Sequence, residues 1–152
     1  MTSRQPHAQQ AAARPVLVLG AGHIGQAIAL LLSDAGGYSV QVADRNLPAL
    51  QRVQALAGVA TVHVPDAAAL EAAIAGRYAV LNALPFHQAV AVATQCARLG
   101  VHYFDLTEDV ASTQAIRRLA DGARSVLMPQ CGLAPGFIAI VGHHLAGSLD
   151  SA

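Results

Sequence analysis

The feature that most constrains this chain is Gly20-Ala-Gly22-His23-Ile24-Gly25, because of what stands on either side of it. Before it runs Val16-Leu-Val-Leu19, an unbroken apolar stretch with the length of a buried strand. After it, Ile24, Ala27, Ile28 and Leu31 recur at helical spacing. A lone Gly-x-Gly-x-x-Gly is a weak signal, but between such a strand and such a helix it is the dinucleotide-binding fingerprint. Each glycine has a mechanical task. Gly20 allows the tight turn, Gly22 lets the backbone approach a pyrophosphate, and Gly25 lets the helix pack close on the strand. The helix start, at His23 and Ile24, then offers free N–H groups and a positive dipole end to the phosphates.

Asp44 closes the next strand-like run, nineteen residues after Gly25. An acid at that place accepts hydrogen bonds from the adenosine ribose hydroxyls and repels a 2′-phosphate, so the expected cofactor is NAD. The adjacent Arg45 leaves NADP open. A helix cap is the ordinary alternative for Asp44, but Asn46 already suits that role, with Pro48 in the first turn.

Beyond this point strands and helices alternate to the end of the chain. Strands are expected near 15–19, 39–43, 59–64, 78–82, 101–104 and 125–128. Helices fall between them, with Asp66 as a cap for the third and Thr107 as a cap for the fifth, and a last helix starts near Phe137. Right-handed crossovers then give an α/β fold, a doubly wound parallel sheet of the Rossmann type with strand order 3-2-1-4-5-6. Its ligand crevice lies beyond the strand C-termini, where the order reverses between strands one and four.

That geometry singles out the polar residues just past each strand. Asn82, with Ala83 beside it, either bonds the cofactor ribose or closes a turn. His87 stands near a helix start on the nicotinamide side, as a catalytic group or as a surface residue. Asp105 stands where a general acid or base would sit, or simply caps a helix. Cys131 either faces the active site or is a small buried residue. Gly132 and Gly136, on either side of Pro135, imply a close backbone approach to a ligand or a neighbouring domain. The candidate cofactor contacts are therefore Gly20, Gly22, His23, Ile24, Gly25, Asp44, Arg45, Asn82 and Ala83. The candidate catalytic groups are Asp105 and His87.

Composition sets the outer bounds. The 152 residues suit one domain, with residues 1–14 a polar, disordered tail and the fold starting at 15. The chain is 54% hydrophobic and 12% charged, with a mean hydropathy of +0.43. No apolar run reaches the ~18–20 residues of a membrane span. The excess therefore fits two covered sheet faces and a surface that meets another domain or subunit. Nine basic and nine acidic side chains balance, which gives nucleic acid and anionic membrane nothing to bind. The chain has no lysine, so catalysis by a lysine within it is excluded. Cys96 and Cys131 form no metal or redox motif, and imply a reducing, cytoplasmic setting.

Three further motifs carry a family resemblance: Asn82-Ala-Leu-Pro-Phe86, Gly100-Val-His-Tyr-Phe-Asp105-Leu-Thr, and Cys131-Gly-Leu-Ala-Pro-Gly136. With the glycine turn, their order and spacing over about residues 15–146 resemble the saccharopine dehydrogenase-like family, which includes saccharopine reductases and lysine 6-dehydrogenase. The resemblance implies an N-terminal Rossmann domain for NAD(P) and hydride transfer at a C–N bond of an amino-acid-type substrate. It also implies that the chain leaves this domain just after the Pro-Gly segment to build a substrate and dimerisation domain. The expectation is a cofactor half without turnover of its own, completed by that absent domain or by a homodimer. A non-catalytic NAD-binding regulatory domain, of the type that gates potassium transport, shares the glycine turn and the acid; the Cys131–Gly136 segment argues against it. A dimerisation module that has lost its ligand would need a blocked glycine loop, and nothing in the sequence blocks it.

Overall fold

The computed structural model describes residues 12–134 and 136–148. Most of the expected tail, residues 1–11, lies outside them, as does Pro135. Six strands form one parallel sheet in the order β3-β2-β1-β4-β5-β6, as expected. In chain order they are β1 (Arg14–Leu19), β2 (Tyr38–Asp44), β3 (Ala60–His63), β4 (Ala79–Asn82), β5 (His102–Asp105) and β6 (Leu127–Met128). Between and after them come α1 (His23–Ala35), α2 (Leu47–Ala57), α3 (Ala67–Ile74), α4 (Ala89–Leu99), α5 (Val110–Ala120) and α6 (Phe137–Ser148). A 3-10 turn, Phe86–Gln88, precedes α4.

The two-residue alternation of β1 assigns its side chains to two cores. Leu17 and Leu19 join Val80, Tyr103, Val92, Cys96 and Ile116 on one face. Val18 joins Val40, Val42, Leu50 and Val53 on the other. Both faces are covered, which accounts for strands that read as continuous apolar runs. Burial pushes the Cys96 thiol up to about 12, so it serves as a small core hydrophobe.

Four expectations are corrected. The first strand begins at Arg14 rather than 15, where the Arg14 N–H donates to Gly37 O and the guanidinium stacks on Tyr78. The sixth strand has only two residues, because it pairs with β5 only at Leu127 and Met128. The fifth helix starts at Val110 and is capped by Asp109, whose carboxylate accepts from Ser112 N at 2.7 Å. Thr107 is not its cap: its N–H is held by Asp105, which draws residues 106–108 into the cleft wall. The Gly132–Gly136 approach is to the chain itself. A Cβ on Gly136, whose φ is +127°, would stand 2.3 Å from Gly132 O, and the two glycines form a bridge.

The apolar excess has a visible location. No residue of α6 is buried, and Phe137, Ile138, Ile140 and Leu145 lie open on it. Among the described residues, no helix is long and apolar enough to cross a membrane.

Candidate cofactor site

The loop from β1 to α1 is fixed on all sides except the one facing out of the sheet. Gly20 N donates to Ala43 O and Ala83 N donates to Leu19 O, each at 2.8 Å, so the loop is tied to β2 and to the end of β4. Ala21 N donates to Asp44 Oδ2 at 2.6 Å, and Gln26 Nε2 donates to Ala21 O at 3.0 Å. The three glycines behave as their tasks require. Gly20 has φ +100° and its missing Cβ would meet Ala83 O at 3.0 Å. A Cβ on Gly25 would stand 1.8 Å from Gly20 O, so no larger residue fits between helix and strand. A Cβ on Gly22 would meet nothing within 4 Å. The loop therefore needs Gly25 for its own packing, whereas Gly22 borders open space of the kind a pyrophosphate would take.

Gly22 is also the N-cap of α1 and makes no side-chain cap bond, and the first turn carries no acid. The first-turn N–H groups, at His23 and Ile24, have no partner within the helix, and the positive end of the helix dipole lies behind them. Such a terminus suits a phosphate.

Two cavities lie over the carboxyl ends of the strands. The first, of about 430 Å3, lies over the ends of β1, β2 and β3 and is lined by Asp44, Arg45, Val64 to Ala67 and Leu84. The second, of about 460 Å3, lies over β4 and β5 and is lined by Ile24, Asn82, Ala83, Leu84, Phe86 and the segment Asp105–Asp109. Leu84 is a wall of both. Two adjoining cavities at the strand ends beside the α1 start match a dinucleotide in outline, with room for a nucleoside half in each.

In the first cavity, Asp44 is half-buried. Besides Ala21 N, it accepts from Asn46 N at 2.8 Å. Each carboxylate oxygen keeps a free lone pair for a ribose hydroxyl. Asp44 thus also holds the glycine loop, a role the sequence reading did not assign. Arg45 is exposed beside it, and its carbonyl meets His63 Nε2 at 3.1 Å.

In the second cavity, Asn82 and Asp105 are adjacent register partners of β4 and β5, each 3% exposed. Asn82 closes the turn, accepting from Leu84 N at 3.1 Å, and its amide donates to Tyr103 Oη at 3.0 Å. Tyr103 Oη donates to Asp105 Oδ2 at 2.8 Å. Asp105 Oδ1 accepts from Thr107 N at 3.0 Å and from Gln130 N at 3.2 Å. Burial, and after it the Asp105 charge, push the Tyr103 phenol well above its ordinary range, so it remains a donor. Tyr103 was missed in the sequence because it reads as one more aromatic in a core strand. Its position two residues before Asp105, on the same face of β5, was the available signal.

Cys131 lies behind this group in a small cavity of about 140 Å3 shared with Asn82 and Asp105. Its thiol donates to Met128 O at 3.3 Å, and burial followed by the Asp105 charge raises its pKa. It is a protonated structural thiol with no base beside it. His87 is exposed in the 3-10 turn, edge-on to Phe86 at 6.0 Å, and lines neither large cavity. The structure thus brings Asp105, Asn82, Ala83 and Ile24 together and leaves His87 outside that group. Among the described residues there is no cluster of side chains suited to a metal ion.

Sheet order, glycine cradle and paired cavities define a dinucleotide-binding Rossmann domain. The particular family follows from comparison with known proteins: residues 16–127 match the saccharopine dehydrogenase NADP binding domain, and the chain belongs to that family. Its cofactor is accordingly NAD(P). Among solved structures, apo saccharopine dehydrogenase (L-Glu forming) from Saccharomyces cerevisiae superposes with a TM-score of 0.78 at 20% identity, over 90% of this chain and 31% of that one. UDP-N-acetylglucosamine 3-dehydrogenase from Acidithiobacillus ferrooxidans gives 0.68 at 23% identity, over 93% and 45%. The WlbA dehydrogenase from Bordetella pertussis, in complex with NADH and UDP-GlcNAcA, gives 0.62 at 18%, over 78% and 35%. At these identities the likeness is one of fold, and the chain spans less than half the length of each.

Proposed function

We propose that this chain is the cofactor half of an oxidoreductase that moves hydride between nicotinamide and the carbon of a C–N bond in an amino-acid-type substrate. The observation that carries the cofactor assignment is the uncapped start of α1, open to solvent beside two cavities of nucleoside size. Gly22, His23 and Ile24 hold the pyrophosphate by backbone N–H groups. Asp44 accepts from the adenosine ribose, with Arg45 at the mouth of that cavity. Asn82, Ala83 and Asp105 form the wall on the nicotinamide side, from which the exposed His87 is absent. The bound cofactor supplies the hydride chemistry; these residues orient it and set the local field.

The substrate class rests on the family. The open apolar residues of α6 and the neighbouring Leu133 support a partner surface, provided by a substrate domain or by a second copy in a homodimer. Without such a cover, donor and acceptor carbons are not held in register and water is not excluded, so the chain alone binds cofactor without turnover. The test is calorimetric titration with NAD(H) and NADP(H), followed by an assay of cofactor absorbance with saccharopine, lysine and related amino acids. Binding with no turnover is expected. Turnover on the order of 1 s⁻¹ that vanishes in Gly22→Val would show a complete active site in this chain.

A further inference from the structure

The cavity on the nicotinamide side has an unbalanced wall. Its lining includes three carboxylates, Asp105, Glu108 and Asp109, and no Lys, Arg or His. Glu108 is exposed and Asp109 partly so, and water screens both. Asp105 is different, at 3% exposure. Its three donors, Tyr103 Oη, Thr107 N and Gln130 N, are neutral dipoles. The ion pair found among the described residues, Arg98 with Glu71, involves neither Asp105 nor the cavity. A buried negative charge with dipoles but no counter-cation leaves a field directed into the space it borders.

Resting on the cofactor reading above, we infer that Asp105 makes this cavity select the oxidised cofactor over the reduced one. The oxidised nicotinamide ring carries one formal positive charge, and the ring loses that charge when it accepts hydride. A fixed carboxylate in the wall therefore stabilises one redox form and not the other. Two unit charges several ångströms apart in a partly buried site interact strongly enough to change a binding ratio about tenfold. Asp105 acts here through its field, as a specificity-determining residue, and not as an acid or base. Tyr103 and Asn82 hold it in place: the Asn82–Tyr103–Asp105 chain of hydrogen bonds ties the carboxylate to β4 as well as to its own strand.

A purely structural role for Asp105, as the clamp on the Gln130–Cys131 loop, makes a different forecast. Removing a clamp weakens both redox forms alike, whereas removing a charge weakens only the oxidised form. Asp105→Asn separates the two. Its oxygen can still accept from Thr107 and Gln130, and its amide meets the Tyr103 hydroxyl, which has Ala89 O at 3.2 Å as another acceptor. The dissociation constants of NAD(P)+ and NAD(P)H are measured for wild type and variant by calorimetry and by fluorescence of the reduced form. The expected result is a rise of about tenfold in the oxidised-to-reduced ratio of dissociation constants. An unchanged ratio in a folded variant overturns the inference.

Tyr103→Phe gives an independent reading, decisive if Asp105→Asn does not fold. It keeps the charge but removes a donor that partly compensates it, so the ratio should move the opposite way, by about twofold. A ratio that stays constant or rises in Tyr103→Phe overturns the inference. Wild-type chain that binds neither redox form would overturn the cofactor reading itself, an outcome distinct from binding without redox preference.

Discussion

Of the helices that follow the carboxyl ends of the strands, α2, α3 and α5 differ from α1 in how they begin. α4 also lacks a side-chain cap, but a 3-10 turn leads into it and the Ala89 N–H donates to Phe86 O. Asn46, Asp66 and Asp109 each turn a side-chain oxygen back onto the start of α2, α3 and α5, at 3.0, 2.8 and 2.7 Å. The start of α1 has no such oxygen and no acid in its first turn. All of these ends carry the same orphan N–H groups and the same dipole. Where a helix end serves the fold, a residue of the chain satisfies it. Where it is left open, the loop around it is built from glycine and tied down by Ala21, Ala43 and Ala83, so that the opening has a fixed shape. On the proposed reading, the α1 terminus is organised for a group from outside the chain.

Perturbations of the two kinds of terminus should therefore differ in what they damage. The largest effect is expected at Gly25, where the loop closes on itself. Gly25→Val places a Cβ 1.8 Å from Gly20 O. The backbone cannot yield that far, and urea unfolding should show a loss of about 3 kcal/mol or more.

Next comes the acid beside the open terminus. Asp44→Ala removes both the ribose acceptor and the loop contacts to Ala21 and Asn46. Loss of the loop contacts weakens NAD and NADP alike, so the informative quantity is their ratio. Paired titrations should show any preference for NAD reduced by about 1–3 kcal/mol, the scale of a hydrogen bond to a charged group. An unchanged ratio would assign the choice to Arg45.

At a capped terminus the damage falls on stability. Asn46→Ala should cost about 1 kcal/mol in urea unfolding and leave cofactor affinity nearly unchanged. The smallest effect is a pH dependence at Asp109. Its backbone hydrogen bond from Ser112, followed by the side-chain one, holds its carboxyl below the ordinary value of 3.8. A depressed folded pKa contributes stability above the unfolded value, and this is lost as pH falls through the folded one. The wild-type minus Asp109→Ala difference in unfolding midpoint should be constant near neutrality and shrink below pH 3.8. Asp109 is only partly buried, so screening keeps the change small.

Much of this was legible in the sequence, for identifiable reasons. The glycine turn, the apolar runs and the strand–helix alternation are local patterns, and handedness rules convert them into one sheet order. Asn46 and Asp66 were legible as caps because a cap acts within three residues of itself. What was not legible depends on contacts between distant segments. Asp105 reads as a cap or a catalytic acid because nothing local shows that Gln130, twenty-five residues on, will donate to it. Thr107 is a local exception: it reads as the cap of the fifth helix, but the Asp105 carboxylate two residues before takes its N–H and the helix starts later, capped by Asp109. Gly136 was read as a place where a ligand or domain comes close, yet its crowding comes from Gly132 and Gln130. Asp44 reads as a ribose acceptor alone because its bond to Ala21 crosses the whole of α1 and β2.

The measurement closest to the central claim is titration of wild-type chain and Gly22→Val with NAD(H) and NADP(H), with circular dichroism and urea unfolding on the same samples. A side chain at Gly22 meets nothing in the protein but enters the space over the α1 terminus. The account predicts saturable binding to wild type, a loss of at least about 100-fold in Gly22→Val, and unfolding midpoints that coincide. Equal affinity in wild type and Gly22→Val would contradict it, because the open helix end would then not be where the cofactor is held.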